Sequence, residues 1–311
     1  MENIKKNDFP PILLFPPSSS GWLCGALQIQ VYSNVSADIT SSMDKHVTIL
    51  DGIGALNMSD GLPISSHWID YLHSLVKSES LATVPEILPV FSLRHHPTVG
   101  PAKMIVVVEK ETVYHRLVEE LNNGTSNSIV QKCIFITGKG YPDVATRACL
   151  SSICQAYPKL PVVGFCDCNP FGVHVLHTYI SGGSADTLNW EERDMLATPR
   201  LEWIGLYPSQ LSSLQEELPR NAFQQMTARD LAKLNTLLDL FDEVAVDADN
   251  NEELKSTHTV LLQELRLMQQ LGYKAELEAL HWLGMDYLLE WMKETLNKYL
   301  DEWERRTFQP V

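Results

Sequence analysis

The sequence predicts an α/β protein whose parallel sheet is flanked by helices, with a β-containing N-terminal segment and a helical C-terminal part. Between residues 104 and 179, short apolar runs alternate with stretches of helical periodicity, which is typical of parallel sheets covered on both faces. Residues 21–99 contain short β-like segments such as LQIQVYS and KHVTILD. From about residue 220 onward, apolar residues recur at the three- and four-residue steps of a helix.

In the α/β region, each predicted strand is followed by a predicted helix. The strand–helix pairs, in chain order, are Met104–Val108 with Thr112–Leu121, Cys133–Thr137 with Val144–Cys154, and Val162–Phe165 with Val173–Tyr179. The second pair is joined by the tight loop GKGYPD, in which Asp143 is the predicted N-cap. The third is joined by DCNPFG, where proline and glycine end the strand.

Oxygen-bearing side chains stand where two of these strands end. Glu109 directly follows the first strand, and Asp167 and Asn169 follow the third. Open parallel sheets bind ligands at the carboxyl ends of their strands, so we expect the carboxylates of Glu109 and Asp167 to converge. Carboxylate and amide oxygens suit a hard cation such as Mg²⁺. Asn169 is either a third ligand or a residue that caps the following helix and shapes the turn, and both roles can hold together.

Five sequence blocks carry a resemblance to one family. They are VVVEKETVYHRL, ITGKGYPDVATRACL, DCNPFGVHVLHTYISGGS, TPRLEWIGLYPSQL and GYKAELEAL, in that order. Together they resemble the topoisomerase VI A family, which includes the related meiotic transesterase that makes DNA double-strand breaks. The resemblance implies a Toprim fold with a Mg²⁺ site formed by Glu109, Asp167 and Asn169. A Toprim fold alone also occurs in primases, type IA topoisomerases and nucleases, but the GKGYPD and WIGLYPSQL blocks favour the break-forming family.

The same resemblance implies the reaction and the partners. Family members perform an ATP-dependent, type II topoisomerase-like transesterification, in which a tyrosine of one protomer attacks DNA beside the metal of another. Expected partners are double-stranded DNA, a second copy or a tyrosine-bearing relative as dimer partner, and a topoisomerase VI B-like protein. The expected location is the nucleus.

Two departures from the family pattern bear on activity. The arginine-aspartate-x-tyrosine-tyrosine setting of the nucleophile is absent from this sequence, and Tyr32, Tyr114, Tyr141 and Tyr179 all stand in other contexts. We therefore expect no catalytic residue here, as in a fragment, a truncated product or a paralogue without the cleavage half. Asn169 replaces the family's second aspartate, which removes one negative charge from the site. The alternative function is a catalytically inactive DNA-binding or dimerisation module; an independent Toprim nuclease would need more carboxylates.

The charge balance restricts how this chain could contact DNA. Its formal net charge is −15, so phosphate contacts would have to come from a limited face. The resemblance places Lys110, Lys139, Arg147 and Arg200 near the metal, and we expect them to bind DNA. Lys139 and Arg147 lie in or just after a glycine loop that opens a helix, where phosphate is favoured. The alternative for each is an ordinary solvated surface charge.

Composition and local patterns define the expected organisation. Residues 1–20 are a proline- and serine-rich leader, 21–99 a β-containing segment, 100–210 the metal-binding core, and 211–311 a helical part packed on the core or at a dimer interface. No apolar run approaches the ~20 residues of a membrane span. The six cysteines show no CxxC pairing, which predicts reduced core thiols in a cytosolic or nuclear protein.

Overall fold

The fold is described by a computed structural model that covers nine segments of the chain. These are residues 21–25, 27–33, 46–51, 62–63, 90–95, 101–123, 128–184, 188–247 and 252–308. The expected leader at 1–20 and a helix predicted for WIDYLHSLV at 68–76 lie outside the described residues.

Eleven strands form three sheets within the described residues. They are β1 Trp22–Gly25, β2 Leu27–Ser33, β3 His46–Asp51, β4 Leu62–Pro63, β5 Val90–His95, β6 Met104–Val108, β7 Cys133–Thr137, β8 Val162–Phe165, β9 Leu201–Gly205, β10 Gln224–Gln225 and β11 Tyr273–Lys274. The largest sheet has the order β4-β1-β7-β6-β8-β9. Its strands β7, β6, β8 and β9 are parallel, whereas β1 and β4 are antiparallel to their neighbours. The other two sheets are antiparallel, in the orders β3-β2-β5 and β10-β11.

Eight α-helices lie in the described part of the chain. They are α1 Glu111–Asn123, α2 Val144–Ala156, α3 Pro170–Ser181, α4 Trp190–Leu196, α5 Pro208–Ser213, α6 Ala228–Asp247, α7 Glu252–Leu271 and α8 Tyr287–Phe308. A 3₁₀ helix at Leu277–Leu283 precedes α8. The predicted fold class, a largely parallel sheet flanked by helices with β structure before it and helices after it, is confirmed.

The central strands form where the sequence has unbroken apolar runs. Every residue of β6, β7 and β8 is buried, because parallel strands covered on both faces cannot alternate polar and apolar side chains. The register pairs Ile105 with Val162 and Val108 with Phe165. This register sets the ends of β6 and β8 side by side, and it determines where the candidate functional side chains lie.

Two helix starts follow directly from local sequence chemistry. Asp143 caps α2 as predicted, since its side chain accepts a hydrogen bond from the Thr146 amide. Asn169 caps α3 in the same way through the Gly172 amide, at 2.8 Å. Helix α3 therefore begins at Pro170, earlier than the predicted Val173, because proline is tolerated in the first turn of a helix.

The C-terminal part differs from the sequence prediction in two places. The acidic composition of residues 242–253 predicts a loop, but α6 continues to Asp247 and α7 already begins at Glu252. The apolar pattern at 274–300 predicts helical structure, and that structure is interrupted at Gly284, whose φ is 147°. Only glycine adopts that backbone conformation readily, so the 3₁₀ helix ends there and α8 starts anew.

One apolar cluster joins the sheet to the C-terminal helices. It includes Val106 of β6, Leu176 of α3, Phe241 of α6, Leu265 of α7 and Met292 of α8. All six cysteines are free thiols, and all but the half-buried Cys154 are buried, as the composition predicts. Among the described residues no helix is both long and apolar enough to cross a membrane.

Candidate metal centre

Glu109 and Asp167 lie at the same edge of the sheet, one residue beyond β6 and two residues beyond β8. The Glu109 amide donates a hydrogen bond to the Phe165 carbonyl at 3.0 Å, which continues the ladder past the strand ends. The Asp167 amide then donates to Glu109 Oε2 at 2.8 Å. The parallel register thus brings together two acidic residues from separate strands.

Asp167 is held in place by the C-terminal part of the chain. Its Oδ1 atom accepts a hydrogen bond from the Leu277 amide at 2.8 Å, and the residue is 5% exposed. Its Oδ2 atom lies 3.4 Å from Lys110 Nζ. Within the described residues, Glu109 Oε1 has no hydrogen-bond partner. One oxygen of each carboxylate is therefore free of a backbone bond.

The environment of this pair disfavours two negative charges. Burial, and then the neighbouring Asp167 carboxylate, raise the pKa of Glu109. Burial also raises the pKa of Asp167, although the Lys110 ammonium acts in the opposite direction. A cation placed between the two carboxylates would relieve both effects, so the site is electrostatically suited to a cation.

Asn169 and Gly172 shape the wall of the site on the α3 side. The Asn169 Oδ1 atom is the acceptor that caps α3, so the capping role is observed. A Cβ atom at Gly172 would lie 2.6 Å from the Asp167 carbonyl oxygen and 2.9 Å from Glu109 Oε2. Because real Cβ contacts are longer, only glycine lets the first turn of α3 approach the two acids so closely.

Lys110 connects the acids to the GYKAELEAL segment, whose position at the site was not predicted from the sequence. Its ammonium lies 3.0 Å from Glu276 Oε2 and 2.6 Å from Glu278 Oε2, in addition to its contact with Asp167. The two glutamates flank Leu277, whose amide binds Asp167. The alternation of these two glutamates with apolar residues in GYKAELEAL could have marked them as candidates. A single sequence does not show, however, that this block lies next to the end of β6.

Comparison with known proteins decides the family. Residues 104–296 match the family model that describes the Toprim domain of Spo11 and of the topoisomerase 6 A protein. This match covers more than half of the chain and includes both acids, Lys110 and the GYKAELEAL block.

The chain belongs to the topoisomerase 6 A/Spo11 family.

Individual relatives agree with the family assignment. The chain is 33% identical over 187 residues to meiotic recombination protein SPO11-2 of Oryza sativa subsp. indica, covering 60% of this chain and 42% of that protein. It is 30% identical over 190 residues to human meiotic recombination protein SPO11, covering 61% and 42%. It is 31% identical over 189 residues to the DNA topoisomerase 6 A protein of Arabidopsis thaliana, covering 61% and 39%. The chain thus matches less than half the length of these relatives, and the family predicted from the sequence blocks is confirmed.

The donor set of this Toprim domain fits a single Mg²⁺ ion. Mg²⁺ keeps several water ligands and is typically held by one or two carboxylates together with substrate phosphates. Glu109 and Asp167 supply two carboxylates with one oxygen each outside backbone hydrogen bonds. The described residues contain no cluster of three or more histidine, cysteine, aspartate or glutamate side chains in metal-binding geometry.

The four cations expected to bind DNA all contact other residues of this chain. Lys139 lies 2.7 Å from a Glu111 carboxylate oxygen, and its ammonium is 4.8 Å from the Trp22 ring centre. Arg147 is 8% exposed and donates to the Gly182 carbonyl oxygen. Arg200 donates to three backbone carbonyl oxygens, those of Cys154, Tyr157 and Pro158. Their role in DNA binding stays a prediction, since any phosphate would compete with these contacts.

Proposed function

We propose that this chain provides a Mg²⁺-binding Toprim centre, held by Glu109 and Asp167, for the formation of DNA double-strand breaks in meiosis. The observation that carries the proposal is the hydrogen bond from the Asp167 amide to Glu109 Oε2 at the shared edge of β6 and β8. It sets the buried Asp167 carboxylate beside the half-buried Glu109 carboxylate, in a family whose named relatives are meiotic recombination proteins and a DNA topoisomerase 6 protein.

Each residue of the centre has a distinct task in this proposal. Glu109 and Asp167 hold the cation, and the Leu277 amide fixes the orientation of Asp167. Asn169 holds the first turn of α3, and its carbonyl oxygen keeps a second lone pair for the metal or its water. When bound, Mg²⁺ neutralises charge on the phosphate oxygens of a DNA strand under attack. A tyrosine that performs the attack would come from a dimer partner, and the complex would act in the nucleus.

Metal titration tests the centre itself. We expect isothermal titration calorimetry with Mn²⁺ to show one weak site per chain, which Asp167→Ala abolishes. A matched control is Asp242→Ala, which removes an exposed carboxylate paired with Arg266 and should leave Mn²⁺ binding unchanged. Equal binding by the wild-type protein and by Asp167→Ala would overturn the metal centre.

A mixing experiment tests whether the chain donates its metal site. A relative that keeps its nucleophilic tyrosine but lacks its own metal glutamate is mixed with this chain and duplex DNA. We expect covalent protein–DNA adducts in the mixture, absent with either protein alone, and lost again when this chain carries Glu109→Ala. Demonstrated heterodimers without adducts would favour the alternative of a DNA-binding or dimerisation module.

A further inference from the structure

A surface between α3 and α6 combines cations with aromatic rings and lies outside the metal centre. It is formed by Tyr141, Phe171, His174, Arg229 and Lys233 and is called the α3–α6 surface below. The Tyr141 hydroxyl is 2.8 Å from His174 Nδ1, and Tyr141 is 48% exposed. The Arg229 guanidinium carbon lies 5.1 Å from the centre of the Phe171 ring. These contacts order the surface without an ion pair to either cation among the described residues.

Among the described residues, the two cations of this surface lack the acidic partners that neutralise several other basic residues. In the described segments, no carboxylate oxygen lies within 4.0 Å of Arg229 or Lys233, whereas Lys110, Lys139 and Lys274 each form ion pairs. Burial lowers the pKa of Lys233 without a compensating carboxylate. An anion from outside the chain would therefore find two cations that no described carboxylate occupies.

The neighbouring acid does not cancel this charge. Asp230 follows Arg229 directly, but it is 2% exposed and both of its oxygens bind Lys274 Nζ, at 2.9 and 2.8 Å. Arg229 also lies in the first turn of α6, where the helix dipole disfavours positive charge. A cation at a position where the helix dipole disfavours it breaks a local rule of helix stability, and such exceptions are expected at functional positions.

The α3–α6 surface adjoins the metal centre. Phe171 directly precedes Gly172, whose Cβ position lies 2.9 Å from Glu109 Oε2. The negative charge of Glu109 raises the pKa of Tyr141 after burial does, and the positive charge of Arg229 lowers it. The Tyr141 phenol is thus close enough to the acid of the centre and to the first cation of the surface to feel the charge of both. Burial, and then Lys233, lower the pKa of His174 to about 4, so that ring is neutral at pH 7.

We propose that the α3–α6 surface binds backbone phosphates of duplex DNA and guides the strand toward Glu109 and Asp167, an inference that rests on the proposed function. Arg229 and Lys233 pair with phosphates and release counterions. Tyr141 and His174 offer polar atoms of the kind that position a backbone without reading sequence. On a chain of net charge −15, such a local surface supplies the restricted basic face that DNA contact requires.

Fluorescence anisotropy with a labelled 20-base-pair duplex tests this surface over a series of salt concentrations. We expect the double variant Arg229→Ala/Lys233→Ala to weaken binding about 10- to 100-fold near 0.1 M salt and to reduce the slope of log K against log salt by about 2. The matched control is Lys298→Ala/Arg305→Ala, which removes the same charge from exposed positions of α8. The affinity of the control for the duplex should stay within about twofold of the wild-type affinity, and its salt slope should equal that of the wild-type protein.

The outcomes separate this inference from the proposed function. Equal losses in the two double variants would overturn the α3–α6 surface and leave DNA binding elsewhere on the chain. Absence of duplex binding by the wild-type protein, with Mn²⁺ binding retained, would overturn the surface and leave the metal centre in place. Displacement of the duplex by inorganic polyphosphate at equal phosphate concentration would overturn the proposal that duplex DNA is the ligand of this surface. Retained melting temperature confirms that each variant is folded.

Discussion

Gly172 determines how closely α3 approaches the two acids of the metal centre. We expect Gly172→Ala to destabilise the protein by about 1–3 kcal/mol, although alanine is the better helix former by about 1 kcal/mol. The added Cβ would meet the Asp167 carbonyl oxygen at 2.6 Å and Glu109 Oε2 at 2.9 Å, so the steric cost should dominate. Urea unfolding measures the stability change, and Mn²⁺ calorimetry should show weaker binding. A more stable variant with unchanged metal affinity would contradict this account of the site.

A substitution at Asn169 distinguishes its role as a helix cap from a role as a metal ligand. Asn169→Asp should keep stability within about 0.5 kcal/mol, since aspartate caps helices as well as asparagine does. The added charge should tighten Mn²⁺ binding, because carboxylate oxygens are stronger ligands for hard cations. Calorimetry on the two proteins measures the difference. Unchanged or weaker affinity would leave Asn169 as a capping residue alone.

At the level of elements, the start of α6 depends on one buried aspartate. The Thr227 amide donates to Asp230 Oδ2 at 2.8 Å, and the Asp230 amide donates back to Thr227 Oγ1 at 3.2 Å. Lys274 of β11 binds the same carboxylate, so the cap also ties α6 to the two-stranded β10–β11 sheet. Burial alone would raise the pKa of Asp230, but the hydrogen bonds from Lys274 and Thr227 outweigh it and lower the pKa.

This arrangement predicts a pH-dependent contribution to stability. Asp230→Asn should destabilise the protein by about 1–3 kcal/mol at pH 7. Because the folded-state pKa lies below the unfolded value of about 3.9, the contribution is complete above about pH 5 and is lost as the pH falls through the folded-state pKa. The difference between variant and wild type should therefore shrink as urea unfolding is repeated from pH 7 down to pH 3.

An exposed ion pair serves as the control for Asp230. Asp242 and Arg266 pair at 2.8 Å with more than half of each side chain exposed. Asp242→Asn should cost less than about 1 kcal/mol. A loss for Asp242→Asn as large as that of Asp230→Asn, or a loss for Asp230→Asn that is as large at pH 3 as at pH 7, would contradict the argument from burial.

Elements that depend on neighbouring residues could be predicted from the sequence, whereas long-range contacts could not. Strands β6, β7 and β8 and the Asp143 cap are predictable because apolar runs and capping residues act over a few neighbouring positions. The contact of Leu277 with Asp167 joins residues 110 positions apart, and no local pattern encodes it. Gly284 ends a helical pattern by its backbone conformation, which apolar periodicity alone does not reveal.

In the candidate site too, the features that could not be predicted are contacts between residues far apart in the sequence. Glu109 and Asp167 are predictable because each follows an apolar strand and parallel strands align their ends. The partners of the basic residues are not predictable. Lys110 pairs with acids from the C-terminal part, and Arg200 donates to carbonyl groups in the last turn of α2 and just after it. The sequence does not single out Arg229 and Lys233, since one helical turn carries no sign of which acids will lie opposite.

For the whole molecule, the charge of −15 predicts how salts affect stability. We expect added NaCl to raise the melting temperature by screening self-repulsion. Mg²⁺ at matched ionic strength should raise it further, since a ligand at about 100 times its Kd stabilises by about 2.7 kcal/mol. Differential scanning calorimetry should show that Asp167→Ala keeps the NaCl effect and loses the extra Mg²⁺ effect. An undiminished Mg²⁺ effect in that variant would place the relevant metal elsewhere.

The central claim is that Glu109 and Asp167 share one divalent cation, and the anomalous scattering of Mn²⁺ in crystals of this protein tests it most directly. The account predicts one anomalous peak per chain between the two carboxylates, within about 2.0–2.6 Å of an oxygen from each, and no peak there in Asp167→Ala. A peak bound only by Glu276 and Glu278, or no peak at the end of β6 and β8 at saturating Mn²⁺, would contradict it.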